Sequence, residues 1–136
     1  MNRNPSEVTA VYWLYAKRTT TDYPKHTKDS GKWLIFSNNN NIDLLWMKIK
    51  KATENGLLGR FSKVATAKPN SNAPNQDMKV ICVYTYDYKD IYDVFKIRTE
   101  LRKLGIVQAI PYKTDSNTLK GKYAVKGNKR ISTYYE

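Results

Sequence analysis

Residues 31–56, GKWLIFSNNNNIDLLWMKIKKATENG, contain the change of pattern that decides the fold. Residues 32–36 are rich in β-branched and aromatic side chains, which is typical of a strand. After the asparagines, apolar residues recur at helical spacing, with Asn41 as a candidate N-cap and Gly56 as a candidate C-terminal glycine. The stretch therefore predicts a strand, an asparagine-rich turn and a helix over about residues 42–55.

The two tryptophans of this stretch fit either a core or a platform on which a ligand stacks. Trp33 lies in the predicted strand and Trp46 on the apolar stripe of the predicted helix. At such positions an indole fills core volume and contributes a few kcal/mol of burial energy. We therefore predict that both belong to the core, whereas Trp13, in an alternating segment, fits either role.

Three further segments have the composition of strands. Residues 9–17 and 60–67 are rich in β-branched, aromatic or alternating apolar side chains. Residues 79–86, KVICVYTY, are apolar on both faces, which is typical of a central strand. The Pro-, Asn- and Ser-containing residues 68–78 are predicted to be a loop, as are residues 18–31.

A second amphipathic helix is predicted to begin after Asp90 and to end at Gly105. Arg98 on this helix is expected to face away from the core. Residues 106–112 form a predicted strand, and Pro111 places it at an edge or marks its end because proline has no N–H to donate.

The remaining C-terminal residues predict a hairpin around Gly127 and Asn128, in which Tyr123 and Val125 pair with Ile131 and Thr133. The predicted order is β-β-α-β-β-α-β followed by this hairpin. Hairpins that alternate with single helices favour an antiparallel sheet with its helices on one face, the α+β class. At 136 residues the chain is expected to form a single domain over residues 1–136.

The charge balance favours a polyanionic partner. Lys and Arg number 24 against 12 Asp and Glu, a net charge of +12, and such a surface attracts nucleic acid at low salt. A charge kept for solubility, or a coding bias towards Lys, Asn and Tyr, explains the same composition.

The single cysteine and the hydropathy pattern predict a cytoplasmic location. Cys82 has no second cysteine with which to form an intrachain disulfide, and a lone thiol suits a reducing compartment. No segment approaches the roughly 18 apolar residues of a membrane helix, and no signal-peptide pattern opens the sequence. We expect no membrane association.

Two groups of residues are candidates for ligand contact. Tyr84, Tyr86 and Tyr88 alternate in register, and we predict Tyr84 for the core and the other two for stacking on bases, although aromatic ladders also stabilise sheets without a ligand. Basic residues follow in the C-terminal region, where they are candidates for phosphate contact or simply face solvent: Lys113, Lys120, Lys122, Lys126, Lys129 and Arg130.

Several motifs occur in the order of a known family: GKWLIF, IDLLW, ATENGLLG, VICVYTYDY, IRTELRKLGI and YKTDSNTLKGKY. Over about residues 11–125 the chain resembles the phosphothreonine lyase domain-containing proteins, related to a basophilic leukaemia-expressed human protein. That family is similar in fold to the cap-binding translation initiation factors. The resemblance implies a curved antiparallel sheet, helices on its convex side and a concave face open to a ligand.

The resemblance also implies roles for individual residues. Tyr23 stands at the spacing where the initiation factors have a tryptophan that stacks on the methylated guanine, and Pro24 follows where they have the guanine-reading glutamate. Lys68 and Lys79 are basic at the positions that hold the cap phosphates. The implied site would therefore bind phosphate without reading the base.

From these observations we predict that the chain is a non-enzymatic module that binds RNA, single-stranded nucleic acid or a phosphorylated nucleotide. The first alternative is a phosphothreonine lyase-like enzyme, which would need a lysine base and an acid such as His26. The second is a protein-interaction or inhibitory factor of a mobile element or virus. No catalytic residue, metal ligand or cofactor is assigned, and no P-loop, dinucleotide fingerprint or nucleophile elbow is present.

Overall fold

The structure is a computed structural model that describes residues 3–20, 22–69, 77–116 and 133–136. In chain order the elements are a short 3-10 helix at Pro5–Glu7, β1 Trp13–Lys17, β2 Gly31–Asn38, α1 Ile42–Glu54, β3 Phe61–Ala65, β4 Met78–Thr85, α2 Ile91–Lys103, β5 Pro111–Thr114 and β6 Tyr134–Tyr135.

The strands form one curved sheet of six strands in the order β1-β3-β4-β2-β5-β6. Every pair of neighbouring strands is antiparallel. The strand β4 lies between β3 and β2, so the prediction of a central strand at residues 79–86 is confirmed. The α+β class and the antiparallel sheet are also as predicted.

Both helices pack on the same face of the sheet, which we call the helix face. The apolar sides of α1 and α2 join inward-pointing residues of the strands in one buried cluster, which includes Trp33, Ile35, Trp46, Ile81, Val83, Val94, Ile97 and Leu101. Trp33 and Trp46 are thus core residues, as predicted. The Trp33 indole is completely buried and its Nε1 donates to the Val94 carbonyl over 3.0 Å.

The predicted helix ends are mostly confirmed. Asp90 caps α2 by accepting a hydrogen bond from the Asp93 N–H over 3.1 Å. Gly56 and Gly105 follow the two helices with positive φ, at 82° and 101°, a conformation that glycine adopts without steric cost. Asn41 is the N-cap residue of α1, as predicted, although its side chain makes no capping hydrogen bond.

The predicted strand at residues 106–112 is displaced in the structure, since β5 begins at Pro111 and continues to Thr114. Proline is tolerated as the first residue of a strand because the missing N–H then breaks no ladder. Pro111 lies opposite Tyr135 of β6, and pairing with β2 begins one residue later. The predicted hairpin around Gly127 and Asn128 lies outside the described residues.

The expectation that Arg98 faces away from the core is wrong, because only 2% of its surface is exposed. Its guanidinium donates to the carbonyl oxygens of Ile106, Gln108 and Glu136 over 2.7–2.9 Å. A buried cation is tolerated when its N–H groups are satisfied in this way. Arg98 therefore ties α2 to the following loop and to the end of β6.

The GKW motif consists of Gly31, Lys32 and Trp33 of β2, which lie in different environments. Gly31 lies under the Tyr112 ring, which a Cβ at this position would overlap. Because side chains alternate along a strand, Lys32 points away from the helices and Trp33 points into the core. The motif therefore serves packing at its first and third positions, and only the lysine faces the opposite side of the sheet.

Among the described residues, none of the helices is both long and apolar enough to cross a membrane. The same part of the chain brings together no group of three or more His, Cys, Asp or Glu side chains with the arrangement of a metal site.

Candidate ligand site on the open face of the sheet

The face of the sheet opposite the helices, here called the open face, carries aromatic and basic side chains. Alternation along the strands and the strand register define its members: Trp13, Tyr15, Lys17, Lys32, Leu34, Phe36, Phe61, Lys63, Val80, Cys82, Tyr84 and Lys113. At its centre Leu34, Cys82 and Tyr84 form a second small apolar cluster, separate from the main core.

A cavity of about 380 Å³ opens on this face. It is lined by Tyr15, His26, Lys32, Phe61, Lys63, Tyr84 and Asp115. The strands supply most of these side chains, while His26 comes from the loop before β2 and Asp115 follows β5. The cavity therefore combines an aromatic wall with several titratable groups.

The aromatic wall is built on Phe61 and Tyr84. Their rings are stacked with centroids 4.3 Å apart and planes inclined by 20°. Tyr15 lies 6.4 Å from Phe61 on one side, and the His26 ring lies 5.8 Å from both stacked rings. Tyr15 is 53% exposed, so part of this aromatic surface is open to a planar ligand.

Lysines surround the aromatic pair. The Lys63 Nζ lies 3.9 Å from the centroid of the Trp13 ring, a cation–π contact. Burial lowers the pKa of Lys63 and of Lys113, and the nearby Lys32 charge lowers both further. These shifts mean that the cations are partly desolvated and repel one another, so an anion placed among them would be favourable.

One carboxylate lies among the described residues of the cavity wall. Asp115 accepts from Lys32 Nζ over 2.9 Å through one oxygen and is 2.8 Å from His26 Nε2 through the other. Asp115 thus neutralises part of the charge of Lys32 and fixes His26 at the cavity rim.

The Cys82 thiol belongs to the small apolar cluster with Leu34 and Tyr84 and is unsuited to act as a nucleophile. It is 4% exposed, and burial raises the pKa of the thiol to about 11. At neutral pH the thiol therefore stays protonated, and the reactive thiolate is scarce.

The lysines chosen from the sequence as phosphate contacts are dispersed. Lys113 lies on the open face next to Lys32 in the register. Lys79 shares the parity of Ile81, which places it on the helix face, where it is 6% exposed. Lys68 follows β3, and its Nζ lies 4.5 Å from the Tyr12 ring. Lys120 and Lys122 lie outside the described residues.

The tyrosines chosen as stacking residues are engaged within the fold. The Tyr23 hydroxyl donates to Asp93 over 2.6 Å, and its ring meets Tyr86 edge-on at 5.6 Å. Burial is the main cause that raises the pKa of Tyr23, followed by its contact with Asp93.

Tyr86 and Tyr88 do not continue the face of Tyr84, because β4 ends at Thr85. The Tyr86 hydroxyl donates to Asp90, and this hydrogen bond raises the pKa of Tyr86 to about 12. The Tyr88 carbonyl accepts from the Tyr134 hydroxyl over 2.9 Å.

Sequence reasoning missed five residues of the cavity wall: Tyr15, Lys32, Phe61, Lys63 and Asp115. A signal for two of them was present, because Phe61 and Lys63 alternate in the predicted strand at residues 60–67 and so share one face. The position of Asp115 depends on the true bounds of β5, which the sequence pattern placed too early.

Comparisons with known proteins agree with this architecture. Residues 23–119 match the family described as basophilic leukemia-expressed protein Bles03. The fold is similar to that of a schistosome eIF4E complexed with m7GpppA and 4E-BP, with a TM-score of 0.66 and 15% identity over 99% of this chain and 75% of that one.

A second similar structure is eIF4E-3 of Ascaris suum with the m2,2,7G cap, at a TM-score of 0.49 and 19% identity over 64% of this chain and 51% of that one. The first similarity establishes an eIF4E-like fold for this chain.

Proposed function

We propose a binding function for this chain, which belongs to the basophilic leukemia-expressed protein Bles03 family. Its open face holds a phosphorylated nucleotide or a single-stranded nucleic acid such as RNA. The observation that carries the proposal is the cavity in which the stacked Phe61 and Tyr84 rings lie among Lys32 and Lys63. Tyr84 is 8% exposed and supports Phe61 by stacking, so Phe61 and the exposed Tyr15 would offer ring surface to bases, while the lysines offer charge to phosphates.

The charge state of the lysines supports an anionic ligand. Lys63 and Lys113 are partly desolvated, and their pKa values are lowered. A phosphate bound beside either lysine would add a nearby negative charge and would raise the pKa of that lysine again. Asp115 offsets Lys32 but is one carboxylate beside several cations, so the balance at the cavity favours an anion.

The structural relative suggests which anion to test first. The schistosome eIF4E of similar fold was crystallised with m7GpppA, a nucleotide that joins purine bases through phosphates. Here Tyr23 hydrogen-bonds Asp93 and Pro24 follows it, so the guanine-reading pair of the initiation factors has no counterpart at that spacing. We therefore expect affinity for phosphate and for base faces without a strong preference for a methylated guanine.

The proposal is tested by titrating a fluorescein-labelled oligouridylate at rising salt. Binding should weaken steeply with salt as counterions compete for the phosphates. The double variant Lys63→Gln with Lys113→Gln should bind at least about tenfold more weakly at low salt, with a salt slope reduced by about 2. Lys48→Gln with Lys51→Gln, two exposed lysines of α1 beyond the opposite face, is the matched control.

A third variant, Lys68→Ala with Lys79→Ala, tests the phosphate site implied by the initiation factors. If it loses more affinity than the Lys63 and Lys113 variant, the ligand lies away from the open-face cavity. The absence of any binding at low salt, or an equal loss in the α1 control, would refute the proposal.

A second candidate is elimination of phosphate from phosphothreonine, favoured by one observation. Lys63, with its lowered pKa, and the His26–Asp115 pair line the same cavity. In such a reaction a neutral lysine would take the proton from Cα, the Cβ–O bond would break, and phosphate would leave while a Cα=Cβ double bond forms.

Incubation with a phosphothreonine peptide followed by mass spectrometry tests this candidate. The peptide should lose phosphoric acid and gain an alkene rather than a hydroxyl group. His26→Ala and Lys63→Gln should each abolish the product. An unchanged peptide after long incubation would refute this candidate, and binding would remain the proposed function.

A further inference from the structure

We propose that the natural occupant of the open face is a single strand of nucleic acid that crosses the β-strands, rather than a mononucleotide seated in the cavity. This inference rests on the binding function proposed above and specifies its ligand. It is carried by one line of side chains, here called the cross-strand row: Lys17, Phe61, Tyr84, Lys32 and Lys113.

The register places these residues side by side across five neighbouring strands. Lys17 of β1 is opposite Phe61 of β3, and Lys32 of β2 is opposite Tyr84 of β4. Lys113 of β5 is opposite Lys32 on the other side. The stacked rings of Phe61 and Tyr84 join the two halves of the row.

The length of the cross-strand row exceeds that of a mononucleotide. Four inter-strand intervals of about 4.8 Å separate Lys17 from Lys113, about 19 Å in all. A stacked strand rises about 3.4 Å per nucleotide, so about six nucleotides match this length. A mononucleotide in the cavity would leave Lys17 without a phosphate.

The order of chemistry along the row also suits a strand. Lysines occupy both ends of the row and two aromatic rings lie between them. Tyr84 is 8% exposed and supports Phe61 by stacking, so bases would stack on Phe61 and the exposed Tyr15 while phosphates on either side meet Lys17 and Lys113. The exposed Tyr15 lies beside Phe61 and extends the aromatic surface towards Lys17. An acidic peptide would use the terminal charges but would leave the central rings without planar partners.

The Lys17 end distinguishes the two modes of binding. Lys17 is exposed at the end of β1 and does not line the cavity. A mononucleotide among Lys32, Lys63 and the rings therefore gains nothing from Lys17, whereas a strand that spans the cross-strand row must pass over it.

The experiment is a length series of oligouridylates, from uridine 5′-monophosphate to about eight nucleotides, titrated by fluorescence competition at fixed low salt. Affinity should rise with length and level off at about six nucleotides. Lys17→Gln should weaken binding of the hexanucleotide about fivefold and leave the mononucleotide unchanged. The control Lys48→Gln removes one exposed charge from α1 and should change neither.

Each other outcome overturns the inference. Equal affinity for the mononucleotide and the hexanucleotide would be compatible with the proposed binding function but would refute a single strand as the natural ligand. A length dependence that Lys17→Gln does not weaken would mean that the strand takes another course. A loss with Lys48→Gln as large as with Lys17→Gln would reveal non-specific attraction, and no binding at any length would remove both proposals. Circular dichroism of Lys17→Gln verifies that this surface variant is folded.

Discussion

The two faces of the sheet differ in how they accommodate buried polar and charged groups. On the helix face, polar groups that reach the core find partners, as in the hydrogen bonds of Thr85 with Tyr112 at 2.6 Å and of Thr53 with Ser62 at 2.9 Å. On the open face, Lys63 and Lys113 are partly desolvated and have lowered pKa values. The first arrangement stabilises the fold, whereas the second makes an additional anion near these cations favourable.

This difference gives a criterion for separating structural from functional residues. A group that serves only stability should lower the free energy of unfolding when it is removed, without a separate effect on binding. Removal of a group kept for a ligand should weaken binding and leave the free energy of unfolding unchanged or slightly higher. Each variant below tests on which side of the criterion a residue lies.

The largest loss of stability is expected for Trp33→Ala on the helix face. The indole is completely buried, packs edge-on against Tyr112 at 5.2 Å, and donates to the Val94 carbonyl. Its removal leaves a cavity and deletes one buried hydrogen bond, so the free energy of unfolding should fall by about 3–5 kcal/mol in urea denaturation. A small loss would mean that the helix face does not carry the stability.

The open-face counterpart is Tyr15→Ala. Tyr15 is 53% exposed, so the same measurement should register a change of about 1 kcal/mol or less. Binding of an oligouridylate should weaken in this variant, since the proposed aromatic surface is reduced. Comparable losses of stability in the two aromatic variants would erase the distinction between the faces.

Arg98→Met should follow Trp33→Ala in size. The substitution keeps an apolar stem but removes three hydrogen bonds, although the Glu136 oxygen still accepts from the Ile110 N–H over 3.0 Å. We expect a loss of about 2–4 kcal/mol, because each unsatisfied buried acceptor is costly. Arg102→Met is the matched control, since Arg102 is exposed and donates to a single carbonyl, that of Val107. Equal stabilities for the two variants would show that the Arg98 hydrogen bonds contribute little.

Gly31→Ala tests the packing role of the first residue of the GKW motif. The new methyl group would overlap the Tyr112 ring and force it to move, at a cost of about 1–3 kcal/mol. In a double-mutant cycle, Tyr112→Leu should remove most of the extra cost because it removes the clash. Strictly additive losses would contradict the assigned contact.

The helix face was the more predictable of the two from the sequence. The spacing of apolar residues, the cap Asp90 and the glycines after the helix ends predict the two helices. A run that is apolar on both sides predicts the central strand. The exception is Arg98, since periodicity treats every arginine as a surface residue. Only the carbonyls of the neighbouring loop, which the sequence does not place, make its burial favourable.

The open face was less predictable because its residues come together through strand order. Phe61 and Tyr84 stand far apart in the chain and stack only because β3 and β4 pair. The alternation of Tyr84, Tyr86 and Tyr88 suggested a shared face, but it does not signal that β4 ends at Thr85. Spacing within one segment therefore identified candidates, and the pairing of segments selected among them.

The smallest effect on stability is expected for Lys63→Met. Burial lowers the pKa of Lys63, so its charge carries a penalty in the folded state at neutral pH. Methionine keeps an apolar stem near the Trp13 ring without that charge. The free energy of unfolding should therefore stay within about 0.5 kcal/mol of the parent or rise slightly, while oligouridylate binding falls as in the Lys63→Gln variant.

The pH dependence of stability sharpens this test. A lysine with a lowered folded pKa binds fewer protons folded than unfolded in the alkaline window between its two pKa values. The parent should therefore gain stability as the pH rises through that window, and Lys63→Met should show less of this rise. A loss of more than about 1 kcal/mol at neutral pH, with binding intact, would place Lys63 among the structural residues. The open face would then be a second support of the fold rather than a surface kept for a ligand.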